Sequence, residues 1–211
     1  MNKFIFFIVL NILFVASCTV NRSGSTTPAT ISSNNSTQTA NAEPKSGEKT
    51  TSASVKNNEK AATKAECIQV DTGDKQVLEN QTFAFDFAPF DKSCFVTAYN
   101  PEYDDPPMEA EFAIYNGGKK VFDFPNQFNG VTFGCWVEAV AFEDLNADNL
   151  KDVVVVGKCS AKSAPYNENM VYVNTGKAFT TSEDANYKLS DFTKMKEIID
   201  FVKENKQMYF K

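Results

Sequence analysis

The chain has 211 residues, 42% of them hydrophobic, no histidine at all, and a formal net charge of −6. Without an imidazole it lacks Ser-His-Asp and Cys-His catalysis, His-ligated zinc and the usual general base near neutrality. Its length allows one hydrophobic core beside segments that need none.

The first residues give an address. Met1-Asn2-Lys3 is a short positive start, and Phe4 to Val15 is an apolar run broken only by Asn11 before Ala16-Ser17-Cys18. Such a run is too short to span a bilayer and fits a secretory signal. The small-small-Cys ending is similar to the bacterial lipoprotein box. That resemblance implies a signal peptide over residues 1–17 and a diacylated or triacylated Cys18 as the mature N-terminus, held in the membrane by more than one chain. An ordinary signal cut nearby, with Cys18 incidental, is the alternative. Residue 19 is Thr rather than Asp, which resembles sorting to the outer membrane in a diderm host. The expected location is therefore the bacterial cell envelope. Residues 18–65 are Ser, Thr, Asn, Ala and Lys with almost no large apolar side chains. They cannot bury enough surface to offset chain entropy and read as a disordered tether.

Residues 66–211 form the expected folded domain, with 24 acidic and 14 basic side chains and a net charge of −10. Such a surface repels phosphate backbones, which argues against nucleic acid, and attracts cations or a basic protein. Phe83, Phe85 and Phe87 alternate with Thr82, Ala84 and Asp86, the period of a half-buried strand. Cys94–Tyr99 is a second strand. Phe112–Tyr115, Asn116-Gly117-Gly118 and Val121–Phe124 read as a hairpin whose glycines supply positive φ. Val131–Phe142 and Val153–Cys159 form the longest antiparallel pair, and Val171–Val173 with Ala178-Phe179 a further hairpin. Phe192, Met195, Ile198, Ile199 and Val202 then recur at helical steps, predicting a helix capped by Ser190 or Asp191 and running to about Asn205. The expected fold class is mainly β, an antiparallel sheet with blade-like hairpins and one C-terminal α-helix, with α+β as the fallback.

Beyond Cys18 four cysteines remain, and an even number in an exported chain suggests two disulfides. Counting outward from a turn centred on Asp148 sets Cys135 opposite roughly residue 161, close to Cys159. Cys135–Cys159 is the first expected pair, leaving Cys67–Cys94. No C-x₂-C spacing supports zinc.

Two acidic segments carry candidate sites. The first runs Tyr99-Asn100-Pro101-Glu102-Tyr103-Asp104-Asp105-Pro106-Pro107-Met108-Glu109-Ala110-Glu111, with no base to dilute its charge. It is either a solvated connection or an interaction loop in which Pro106-Pro107 give stiffness, Tyr99 and Tyr103 give aromatic anchors, and Glu102, Asp104 and Asp105 give charge. The second links the two longest strands. Asp144, Asn146, Asp148 and Asp152 fall at loop positions 1, 3, 5 and 9, and Leu150 offers the carbonyl at position 7. This is a spacing that wraps a hard cation such as Ca²⁺. The alternative is a solvated Asn/Asp turn. Asn149 replaces the customary Gly at position 6, and Val155 replaces the bidentate Glu at position 12.

From Val137 to Phe179 the chain resembles one FG-GAP or VCBS-type repeat of integrin-like β-propellers. The match lies in Asp144-x-Asn146-x-Asp148-x-x-x-Asp152, the Val153–Gly157 strand and Met170-Val171-Tyr172-Val173-Asn174-Thr175-Gly176-Lys177-Ala178-Phe179. The resemblance implies Ca²⁺ at Asp144, Asn146, Asp148, Leu150 and Asp152, and a blade-like sheet. The leading functional expectation is a lipid-anchored, calcium-stabilised, non-catalytic module that binds a protein or glycan. A second is an inhibitor or immunity protein against a cationic cell-wall hydrolase of lysozyme type, since some small exported proteins with similar sheets act so. A third is a glycan hydrolase using carboxylates alone.

Overall fold

The computed structural model describes residues 61–210. The signal segment, the lipidation site Cys18 and the tether up to residue 60 lie outside the described residues. The elements in chain order are α1 (Lys64–Cys67), β1 (Gln76–Val77), β2 (Phe83–Phe85), β3 (Ser93–Tyr99), β4 (Glu111–Asn116), β5 (Lys119–Asp123), β6 (Cys135–Glu143), β7 (Asp152–Cys159), β8 (Tyr166–Asn167), β9 (Met170–Asn174), β10 (Phe179–Thr181), α2 (Glu183–Asn186), α3 (Met195–Glu204) and α4 (Lys206–Tyr209). They make two antiparallel five-stranded sheets. The first runs β1-β3-β4-β5 with β2 also on β3, and the second runs β10-β9-β7-β6 with β8 also on β7. The fold is mainly β with a C-terminal helix, as the alternation of apolar residues predicts.

The two sheets face one another across an aromatic core. Phe95, Phe112 and Phe124 from the first sheet and its edge meet Val153, Val155, Tyr172 and Phe179 from the second. Phe124 sits at the centre, with ring centroids 5.4 Å from Phe95, 5.3 Å from Phe112 and 4.8 Å from Tyr172. Full burial of each such ring stabilises by roughly 1.5–3 kcal/mol. Strand β7 explains why its sequence is a continuous run of valines. Val153 and Val155 point to this core, while Val154 and Val156 join a second cluster with Leu189, Ile198 and Val202 beneath α3. The outer face of the first sheet is closed in turn by Cys67, Cys94, Val96, Ala113 and Tyr115.

Both expected disulfides are present, Cys67–Cys94 tying α1 to β3 and Cys135–Cys159 joining β6 to β7. Cys135 pairs directly with Cys159 rather than with a residue near 161, because the turn is centred between Ala147 and Asp148, which moves the partner by one residue, and a bulge between Val137 and Ala139 moves it by one more. The bulged residue, Glu138, is exposed; its carbonyl accepts from Gln81 Nε2 at 3.1 Å and its carboxylate from Trp136 Nε1 at 2.6 Å. The hairpin turn at Gly117-Gly118 has φ of +54° and +76°, as a tight turn between β4 and β5 demands.

Three expectations are corrected. The strand through Phe83, Phe85 and Phe87 stops at Phe85. Residues 131–134 are not strand: β6 begins at Cys135, after a segment in which Asn126, Phe128 and Asn129 all take left-handed φ near +50°. Helix α3 begins at Met195, not after Ser190 or Asp191. Lys194 is extended, with φ −123° and ψ 136°, so the helix starts only after it, and asparagine side chains hold the segment before it. Asn167 Nδ2 donates to the Ser190 carbonyl, and Asn169 Nδ2 donates to those of Leu189 and Phe192.

Candidate functional site

The β6–β7 hairpin has a chemically distinct feature at each end. At one end the chain turns through Asp144–Lys151, and buried Leu145 anchors that turn beneath α3. Asp144 Oδ1 accepts from the amides of Ala147 at 2.7 Å and Asp148 at 3.2 Å, and Oδ2 from Asn149 at 2.9 Å. Partial desolvation would lift this carboxyl, but the amides of Asn149, Ala147, Asp148 and Asn146 together hold it below its ordinary value. Asn146 Nδ2 donates to Asp148 Oδ2 at 2.8 Å, and Asp148 Oδ1 caps the Leu150 amide at 2.8 Å. Ala147 and Asn149 take φ near +70°, so the residue standing at the customary Gly position does adopt the left-handed region.

Asp152 faces the other way. It is 1% exposed; Oδ2 accepts from the Leu145 amide at 3.0 Å and Oδ1 from the Asn174 amide at 2.9 Å. Burial raises its carboxyl from 3.8 to about 6, against these two bonds, which lower it, and with a further rise from Asp148 and Asp144. The turn is thus closed by hydrogen bonds among its own groups, with Asp144 and Asn146 half-buried, Asp148 exposed and Asp152 inside. Among the described residues, no group of three or more Asp, Glu, His or Cys side chains is placed to hold a metal ion. The start of α4 also reaches this turn, where Lys206 Nζ donates to the Asn146 carbonyl at 3.1 Å.

The opposite end, marked by Cys135–Cys159, lies roughly 27 Å away along the nine residues of β6. Here the Asn100–Glu109 loop folds on itself. The amides of Asn100, Tyr103 and Met108 donate to the carbonyls of Met108, Asn100 and Tyr103 respectively. Asn100 uses its side chain twice, donating to Glu109 Oε2 at 2.9 Å and accepting from the Glu102 amide at 3.0 Å. Asp104 bridges Pro107 across the tip, and the Ala110 amide ties the base to the Cys135 carbonyl. Glu102, Tyr103, Asp104 and Asp105 are all exposed. Tyr99, expected as a second aromatic anchor, is instead 8% exposed and belongs to the inter-sheet core, because it is the last residue of β3 rather than part of the loop. A base does reach the acidic run through space: Lys75 Nζ bonds the Glu109 carbonyl at 2.7 Å and pairs with Glu111 at 3.3 Å.

Sequence reasoning missed Phe133, which is 71% exposed. It lines a depression of about 490 Å³ together with Lys75, Glu109 and Glu111, so an apolar anchor stands beside the acidic loop. A phenylalanine flanked by Thr132 and Gly134 in a stretch read as strand gives no sign of this. No helix among the described residues is long and apolar enough to cross a membrane. No protein-family profile, curated protein or solved structure matches the chain.

Proposed function

We propose that the protein is a non-catalytic binding module of the bacterial envelope, anchored through lipid on Cys18, that presents its Asn100–Glu109 loop to a basic partner protein. The observation that carries this reading is the loop itself: an exposed acidic tip with Tyr103, held in one shape by its own hydrogen bonds, beside exposed Phe133. Preorganisation lowers the entropy cost of binding, and an aromatic among acids suits a cationic surface. Anchoring and address rest on the first eighteen residues of the sequence. The carboxylates of the tip stand in water, whereas glycoside hydrolysis needs a pair set across a shaped site, which favours binding over catalysis.

The self-tied loop with its exposed acidic tip also favours a particular outcome of binding, blockade of a cationic cell-wall hydrolase of lysozyme type. The test is an inhibition and binding assay with lysozyme. The triple variant Glu102→Gln, Asp104→Asn, Asp105→Asn is expected to bind at least about tenfold more weakly and to lose most of the salt dependence. Binding without inhibition would leave the module and remove the inhibitor. Equal binding by the triple variant would remove the loop as the contact.

Ca²⁺ in the Asp144–Asp152 turn is part of the same proposal, supported by the oxygen spacing and by the gathering of the Asp144, Asn146 and Asp148 side chains in one hydrogen-bonded turn. The ion would have to compete with hydrogen bonds the turn already makes. A free Ca²⁺ concentration about 100 times its dissociation constant is expected to stabilise the fold by about 2.7 kcal/mol. Thermal melts with Ca²⁺ and with chelator check this, and Asp148→Ala should erase the difference. Identical melts for the parent chain would discard the ion.

A further inference from the structure

A second cleft opens at the same end of the hairpin, between exposed tyrosines. Tyr187 is 73% exposed and Tyr166 is 41% exposed, and both border a cleft of about 380 Å³ floored by asparagines. Tyr166 sits in β8 opposite Cys159, and Tyr187 begins a 3₁₀ turn after α2. A smaller hollow of about 190 Å³ adjoins it, also bordered by Tyr187 and Glu168 and extended by Glu183 and Asp184.

What this cleft can recognise follows from where its donors go. Asn129 spends both amide hydrogens inward, on Glu168 Oε2 at 2.7 Å and the Asn169 carbonyl at 3.2 Å. Asn186 gives its two to Asn129 Oδ1 and Thr181 Oγ, each at 2.9 Å. Asn169 gives its two to the Leu189 and Phe192 carbonyls. The floor is therefore rigid and nearly exhausted of amide donors. Bordering the two hollows are four carboxylates, those of Glu168, Asp191, Glu183 and Asp184, together with the rings and hydroxyls of Tyr166 and Tyr187 and the Ser190 hydroxyl. A sugar ring could use the hydroxyls and the second Asn167 amide hydrogen as donors, but a neutral ring leaves the charge of the four carboxylates unanswered. An anion is repelled. The complement is a flat cation that only donates, and the guanidinium group offers five N–H donors, no acceptor and a planar face that stacks on aromatic rings.

We propose that the cleft between Tyr166 and Tyr187 is a binding site for an arginine side chain of a partner protein, stacked on the tyrosines and hydrogen-bonded to Glu168 and Asp191. The Tyr187 ring already has a cation near it, with Lys188 Nζ 6.0 Å from the centroid. That ammonium is at the outer limit of useful approach and competes with the incoming group. The proposal shares with the acidic-loop reading only the sign of the partner's charge. Its residues are different, so either can fail alone.

The test is titration of the purified chain with N-acetyl-arginine methylamide, its lysine counterpart and chitotriose, following the NMR signals of Tyr166, Tyr187 and Asn129. The arginine compound is expected to move all three and to bind at least about fivefold more tightly than the lysine compound. Tyr187→Ala, which removes an exposed ring and leaves the fold intact, and Glu168→Gln, which keeps an acceptor for Asn129, should each weaken it at least about fivefold. Lys188→Ala should tighten it. The triple acidic-loop variant should bind the arginine compound as the parent does, so lost lysozyme binding with retained arginine binding separates the two surfaces. No movement with arginine, equal binding of lysine, or movement with chitotriose alone would each overturn the site.

Discussion

Replacing Gly157 by alanine is expected to destabilise the protein by about 3 kcal/mol, the upper part of the range for an overpacked site. A Cβ there would overlap the Glu168 carbonyl oxygen and stand 3.0 Å from the Phe128 ring and 3.1 Å from the Met170 methyl. None of these neighbours is free to retreat. The Glu168 amide donates to the Gly157 carbonyl at 2.9 Å, and Asn169 Oδ1 accepts from the Gly157 amide at 3.3 Å. Phe128 is held in left-handed backbone and is 2% exposed. The relief must therefore come from prising β7 away from residues 168–170, which carry the floor of the tyrosine cleft. Urea denaturation measures the loss, and the same variant should bind the arginine compound more weakly. A change below about 1 kcal/mol would mean that this packing is looser than the contacts indicate.

Asp152→Ala is expected to cost about 2–4 kcal/mol, and more at pH 5 than at pH 7, because it orphans two buried amides. Burial lifts the folded-state carboxyl from 3.8 to about 6. An acid whose pKa rises on folding stabilises the native state in its protonated form. That contribution is complete below the unfolded value near 3.8 and is lost as pH rises through about 6. The span is about 3 kcal/mol in full, of which about half returns between pH 7 and pH 5. The parent chain in chelator should accordingly grow more stable on mild acidification. Asp152→Ala should lack most of that gain, which widens the gap between the two at the lower pH. Parallel pH profiles for both chains would show that Asp152 is not the group responsible.

Much of the scaffold was legible because its signals are local. The Gly117-Gly118 turn, the unbroken valines of β7 and the pairing of Cys135 with Cys159 all follow from residue type and spacing. The register was off by two residues, one because the turn is centred between Ala147 and Asp148 and one because of the bulge at Glu138, which depends on the distant Gln81 contact as well as on Trp136. The start of α3 was misplaced because residues 189–192 are held by Asn167 and Asn169, some two dozen residues earlier, and Lys194 is extended before the helix begins. Of the acidic turn, the spacing was legible but the inward orientation of Asp152 was not, since its partner amide belongs to Asn174 on another strand. The tyrosine cleft was beyond reach for the same reason: residue 129, residues 166–169 and residues 183–191 are far apart in the chain and meet only around the folded second sheet.

The bond between Cys135 and Cys159 gives the hairpin one more property. Strand, turn and returning strand form a covalent macrocycle, so a single protease nick at exposed Ala147, Asp148 or Asn149 opens the ring without releasing either arm. A protein facing hydrolytic surroundings could lose a peptide bond at that tip and still keep the acidic loop and the tyrosine cleft at the far end joined to the rest of the chain.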